Sequence, residues 1–225
     1  MDFGEDKMRS PLIAAVAALV LGATQAHALS ADFASDFSIT NSNPNGAWTY
    51  GYTTSLGGTL NNFTTTLASS GQEIWYMPGL SGDATPSVFK NVSGGTVNWV
   101  PSGAAGLHSG PGGQLAVARY TSSEAGEVTI SGEFGSGDIG GVGIFILVDN
   151  VQAFGITNAS ATEAFDFDVT LGVGSTVDFV VSNGDGSYAF DSTPLSATIE
   201  TVPEPATMLA LGLGAVALVR KRRSK

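Results

Sequence analysis

AFDFDVTLGVGSTVDFVV, residues 164–181, carries the pattern that decides the fold. Phe165, Phe167 and Val169 alternate with Asp166 and Asp168. A period of two puts one set of side chains on each face of a strand. TVDFVV is a second short β-rich run, and the glycines and Ser175 between the two break the pattern. Read locally, the stretch predicts a hairpin turning at residues 172–175.

Similar runs recur on both sides of it. FSIT (37–40), AWTYGY (47–52), EIWYM (73–77), SVFKNV (87–92), TVNWV (96–100) and QLAVARY (114–120) precede EVTISGEF (127–134), GVGIFILV (141–148), VQAFGI (151–156) and LSATIE (195–200). Gly, Asn, Ser and Pro clusters separate them. ILVDNVQAF predicts a hairpin with Asp149-Asn150 at the turn, because both residue types tolerate left-handed backbone. LHSGPGG, residues 107–113, reads as a crossing loop. No run has a convincing amphipathic helical period. The expected fold is all-β: an antiparallel β-sandwich, jelly-roll-like, over residues 29–201.

Composition narrows the chemistry. Only 13% of the 225 residues are charged, 30 are Gly and none is Cys. Disulfides, cysteine–zinc sites and thiol nucleophiles are excluded. Between residues 29 and 202 the cations are Lys90 and Arg119, against 16 Asp and Glu, a net charge of −14. That surface repels phosphate backbones, so no nucleic-acid partner is expected.

The two ends read differently from the body. Residues 1–28 combine Lys7 and Arg9, an apolar run at 12–23, and small residues Ala26 and Ala28 at an A-x-A site. This is a secretory signal peptide with its signal helix, cut after Ala28, with translation starting at Met1 or Met8. Residues 202–225 combine Pro203, Glu204 and Pro205 with 14 uncharged residues at 206–219, then Arg220, Lys221, Arg222 and Arg223. The order predicts an exported body, an extended link, a transmembrane helix and a cytoplasmic basic stop. Fourteen residues span only ~21 Å as helix, against a ~30 Å hydrocarbon core.

This C-terminal tail resembles the PEP-CTERM sorting signal of Gram-negative bacteria. The resemblance implies recognition by an exosortase at or near Pro203-Glu204-Pro205 after passage through the export machinery. It also implies anchoring in the inner membrane, then placement on the cell surface or in an exopolysaccharide matrix or biofilm. NPNGAWTYGY, LHSG, GEVTISGEFGSGD and TVDFVVSNGDGSYAFDST are similar to segments of secreted lectin-like jelly-roll modules.

Candidate sites within the body are few. Trp48, Tyr50 and Tyr52 alternate and share one face, which suits either stacking on sugar rings or a sandwich core. Trp75, Tyr76 and Trp99 carry the same two readings. Asn183, Asp185 and Asp191 surround a Gly-rich turn and offer oxygen ligands for calcium, or else Asx hydrogen bonds. Asp166 and Asp168 share a strand face, as a carboxylate pair or as a solvated surface. His108 is the one histidine beyond residue 28, too few for a triad or a His-rich metal site, and it reads as a loop residue. The expectation is a non-enzymatic surface or matrix protein that binds carbohydrate and has no catalytic residues. The alternatives are a secreted polysaccharide hydrolase and a calcium-dependent adhesion module.

Overall fold

A computed structural model describes residues 30–138 and 140–202. The expected signal helix, sorting motif, transmembrane helix and basic stop lie outside the described residues. Among the described residues, no helix is long and apolar enough to cross a membrane.

The body is two packed antiparallel sheets, as the alternating runs require. The larger sheet contains β1 (Ser30–Asp32), β4 (Thr65–Ser69), β5 (Gln72–Tyr76), β6 (Ser87–Asn91), β7 (Ala105–His108), β9 (Gly126–Phe134), β12 (Glu163–Leu171) and β14 (Thr193–Thr201). Their order is β12-β9-β14-β7-β6-β5-β4, with β1 pairing β14. The smaller sheet contains β2 (Trp48–Thr53), β3 (Asn61–Asn62), β8 (Leu115–Thr121), β10 (Val142–Val148), β11 (Val151–Ala159) and β13 (Thr176–Ser182). Its order is β11-β10-β13-β8-β2-β3. From β7 onward the chain crosses repeatedly between the sheets, in the manner of a jelly roll.

The expected hairpin at residues 172–175 is not one. β12 pairs β9 in the larger sheet, whereas β13 pairs β10 and β8 in the smaller. Residues 172–175 therefore carry the chain across the core. The hairpin at Asp149-Asn150 does form: φ is 49° and 65° there, and Val148 pairs Val151. These are the two left-handed positions of a tight two-residue turn.

Two further expectations fail. FSIT is irregular; just before it lies a one-turn helix, α1 (Phe33–Asp36), whose first turn Asp32 caps by accepting from the Ser35 amide at 2.7 Å. TVNWV is not a strand, because Asn98 and Trp99 both have positive φ, 47° and 64°. The LHSGPGG loop begins two residues late, since Leu107 and His108 belong to β7.

The core is aromatic. Trp48 packs against Phe33, Tyr120 and Phe179, with ring centroids 5.3, 5.7 and 6.1 Å away. Phe165, Phe134 and Phe154 extend the cluster at 5.7–6.5 Å. Burying each large ring contributes about 2–3 kcal/mol.

Candidate functional site

The outer face of the larger sheet holds a cleft of about 280 Å³. Alternation builds its floor. Val88 and Leu107 turn into the core, so Ser87, Phe89 and His108 turn outward beside Ile74 of β5. Ser87 pairs His108, and Phe89 pairs both Ile74 and Gly106. Gly106 leaves room at that point: a Cβ there would sit 3.1 Å from the Phe89 ring and 2.6 Å from the Thr193 carbonyl.

Loops form the walls. Asp83 and Ala84 come from the β5–β6 connection, Asn98 from β6–β7, Asp138 from β9–β10, and Phe190 and Ser192 from β13–β14. Ala84, Asn98 and Phe190 all have left-handed backbone, with φ of 58°, 47° and 69°. Trp99, next to Asn98, has φ of 64°. Each such non-Gly residue costs on the order of 1 kcal/mol. Seven non-Gly residues among those described have positive φ; three of them line this one cleft, and Trp99 follows one of these, Asn98, directly in the chain. Trp99 and Phe190 are each 58% exposed. Left-handed backbone thus accompanies two exposed aromatic rings: Phe190 in the cleft's lining and Trp99 one residue beyond the lining residue Asn98.

The polar groups are mutually connected. Asp83 Oδ1 accepts from Thr85 Oγ1 at 2.9 Å, and Asp83 Oδ2 accepts from the Tyr188 hydroxyl at 3.4 Å. Burial alone would raise the Asp83 pKa, but the hydrogen bonds from Ser81 and Thr85 outweigh it and hold the carboxyl below its ordinary range. His108 Nδ1 donates to the Ser109 carbonyl at 2.8 Å, which leaves Nε2 as an acceptor on the neutral ring. Burial keeps the His108 pKa low, against the pull of the Ser109 carbonyl, Asp83 and Asp138. The Tyr188 ring meets the imidazole edge-on at 6.2 Å. Gln72 and Asn98 complete the lining, with Asn98 Nδ2 donating to Gln72 Oε1 at 3.3 Å. The cleft offers both donors and acceptors to an uncharged hydroxylated ligand.

The aromatic face anticipated on β2 is an inner one. Trp48 is 1% exposed, Tyr50 is fully buried and Tyr52 is half-buried against the same core. Trp48 Nε1 donates to Asp36 Oδ2 at 3.0 Å. Hydrophobic burial decides between the two readings, and neither Trp48 nor Tyr50 presents a ring to a ligand. Trp75 is likewise buried, its Nε1 donating to the Ser38 carbonyl at 2.8 Å, and Tyr76 is half-buried. Trp99 remains as the exposed tryptophan. Its position in TVNWV was legible, but its exposure was not.

Asp166 and Asp168 are exposed on the edge strand β12, where Asp168 Oδ1 accepts from Thr129 Oγ1 across the ladder at 2.6 Å. They belong to a solvated face. Asp185 Oδ1 accepts from the Ser187 amide at 2.8 Å, an Asx turn. Asn183 Nδ2 donates to the Gly110 carbonyl at 3.3 Å. Asp191 is wholly buried and accepts from Ser109 Oγ at 2.5 Å. Desolvation, then the charges of Asp185 and Asp138, raise its pKa to about 7 against the Ser109 hydrogen bond. Among the described residues, no three His, Asp or Glu side chains are arranged to hold a metal ion. No sequence motif marks Asp83, Asp138, Phe190 or Ser192. Their relation to the cleft depends on which loops the sheet topology gathers.

Fold and cleft define a β-sandwich with a small polar site walled by loops. Residues 201–223 match the PEP-CTERM protein-sorting motif. The C-terminus carries that motif, in the place the Pro-Glu-Pro, apolar and basic order indicates. No curated protein matches the chain. Solved structures similar to it include CBM35 from Cellvibrio japonicus Abf62, at 11% identity over 79% of this chain and 94% of that one, TM-score 0.29. A family 35 carbohydrate binding module from Clostridium thermocellum matches at 11% identity over 59% and 89%, TM-score 0.28. β-Glucosidase from Kluyveromyces marxianus in complex with glucose matches at 15% identity over 40% of this chain, TM-score 0.27, and this chain spans only 11% of its length. TM-scores this low transfer neither ligand nor activity to this chain.

Proposed function

We propose that the protein is exported, handled by an exosortase through its C-terminal motif, and placed on the cell surface or in an exopolysaccharide matrix. There it holds an uncharged saccharide chain in the larger sheet's cleft without cleaving it. One observation carries the binding reading: exposed Phe190 lines a cavity with Gln72, Asn98 and His108, and exposed Trp99 follows Asn98 directly, both rings on left-handed backbone. Aromatic faces take the C–H surface of a sugar, and neutral polar groups take its hydroxyls. Titrating the exported protein on an array of oligosaccharides tests it. Trp99→Ala is expected to weaken binding about ten- to hundredfold, ~1.4–2.8 kcal/mol. Full-strength binding by that variant would remove the site from this cleft.

A second reading has its own support. Asp83 and Asp138 line one cleft and both act electrostatically on His108, so a hydrolase would have two carboxylates at hand. Against it, the Asp83 pKa is lowered, the opposite of the direction a general acid requires. The two readings separate on product. A hydrolase releases new reducing ends from the bound polysaccharide, and Asp138→Asn abolishes that release; a binding protein releases none.

The sorting reading has an independent test. Deleting residues 202–225 is expected to leave the body folded but to alter its cell fraction and to abolish C-terminal processing. Recovery of the truncated protein in the same fraction would overturn it.

A further inference from the structure

The outer face of the smaller sheet is divided. On one half Leu115, Val117, Phe145, Leu147 and Val180 form a separate apolar cluster, covered by Leu60. The other half is the floor of a second cleft, of about 500 Å³, with Thr49, Arg119, Thr121 and Thr176 on the strands and Asn62 and Asn150 on the rim. Its volume falls within the range of small-molecule sites.

Arg119 is one of the two Lys or Arg residues between residues 29 and 202, and it is committed to this floor. It pairs Asp178 directly across the β8–β13 ladder. Its Nε and Nη2 donate to Asp178 Oδ1 and Oδ2 at 2.6 and 2.8 Å. The side chains are 21% and 4% exposed. A pair so deeply desolvated rarely outperforms two apolar residues in its place. The same strands carry that apolar solution next door, with Val117 and Val180 as register partners. Stability alone therefore gives no reason for the ion pair. What it does supply is hydrogen bonding: two of the guanidinium's five N–H groups are spent on Asp178, and among the described residues no other acceptor takes the remaining three. Because Asp178 cancels the charge, and the body carries −14, the site disfavours anions. The threonine hydroxyls and asparagine amides around it both donate and accept, as the vicinal hydroxyls of a sugar require.

We propose that this cleft is a second saccharide site, for an uncharged sugar residue, so that the body carries one site on each outer face and cross-links polysaccharide chains. The inference rests on the saccharide reading of the first cleft. It adds the location, the ligand charge and the bivalency.

The test is calorimetric stoichiometry on the exported protein. The probes are uncharged oligosaccharides of glucose, mannose and galactose, with polygalacturonate as the charged control. Wild type is expected to bind two equivalents per chain. Trp99→Ala leaves one, and Thr49→Val combined with Thr121→Val leaves the other, weakened about tenfold or more at the altered site. Among the described residues, neither threonine side chain makes a hydrogen bond that a valine would break. Arg119→Lys, which loses the two-pronged geometry but keeps a charge opposite Asp178, is the second variant and lowers the same site's affinity. Long dextran and galactomannan chains are aggregated by wild type and by neither single-site variant. One equivalent, lost in Trp99→Ala and unchanged in the threonine and lysine variants, overturns the second site and leaves the first standing. No binding of any probe overturns both. Preference for polygalacturonate at the threonine-sensitive site overturns the assigned ligand class.

Discussion

Asp191→Asn makes the body more stable at pH 8 by about 2–3 kcal/mol and removes most of the fall in stability between pH 5 and 8. The native carboxyl keeps its proton up to about pH 7, whereas in the unfolded chain it releases it near 3.8. Between those values the folded state binds more protons, so its stability declines as pH rises and levels off above about 7. At ~1.4 kcal/mol per decade the gap sets a ceiling of ~4 kcal/mol. Burial is the main cause, and Oδ1 makes matters worse by having no hydrogen-bond partner. Asparagine keeps an acceptor for Ser109 Oγ and carries no charge to desolvate. His108 works in the opposite sense. Its lowered pKa means that the unfolded chain takes up the proton first, so its contribution is lost as pH falls below 6.5. Urea midpoints from pH 4.5 to 8.5 check both signs. Parallel curves for wild type and Asp191→Asn would refute the assignment. Phe190 and Ser192, on either side of Asp191, line the larger sheet's cleft, so the same variant should flatten any pH dependence of saccharide affinity there.

Trp48→Ala costs about 3–5 kcal/mol. The indole is 1% exposed, sits among Phe33, Tyr120 and Phe179, and donates to Asp36. Truncation leaves a large cavity between the sheets and removes the tie to α1. The expected result is a lower urea midpoint with saccharide stoichiometry unchanged wherever the protein remains folded. Unchanged stability with binding lost would return Trp48 to a ligand surface.

Local pattern told strand from loop well and told sheet membership poorly. Asp149-Asn150 was legible because the turn chemistry lies in the two residues themselves. The break at residues 172–175 was misread because a Gly-rich turn looks the same whether it reverses a strand or carries it across a core. A cue was present: β12 alternates, as a strand buried on one face does, while Val177, Asp178, Phe179, Val180 and Val181 are buried in succession. A strand covered on both faces belongs in the interior of a sheet. β3 is only two residues long, and β4, Thr-Thr-Leu-Ala-Ser, lacks the aromatic and β-branched apolar residues that marked most of the other strands. At the site, aromatic alternation identified a shared face on β2 but not its direction, and burial turned it inward. The cleft itself was illegible for a different reason. Asp83, His108, Asp138 and Phe190 come from four separate parts of the chain, and only the order of strands in the larger sheet brings them together.

The last strand has a mechanical consequence. β14 lies inside its sheet, paired to β9 over seven residues and to β1 at Ser30, Ala31 and Asp32, and the amide of Val202 still donates to the Glu127 carbonyl. The sorting motif begins at residue 201, so the tether and the ladder are continuous. A pull on Val202 directed along the axis of β14 would load those rungs side by side, in shear, where they must rupture together rather than peel one after another.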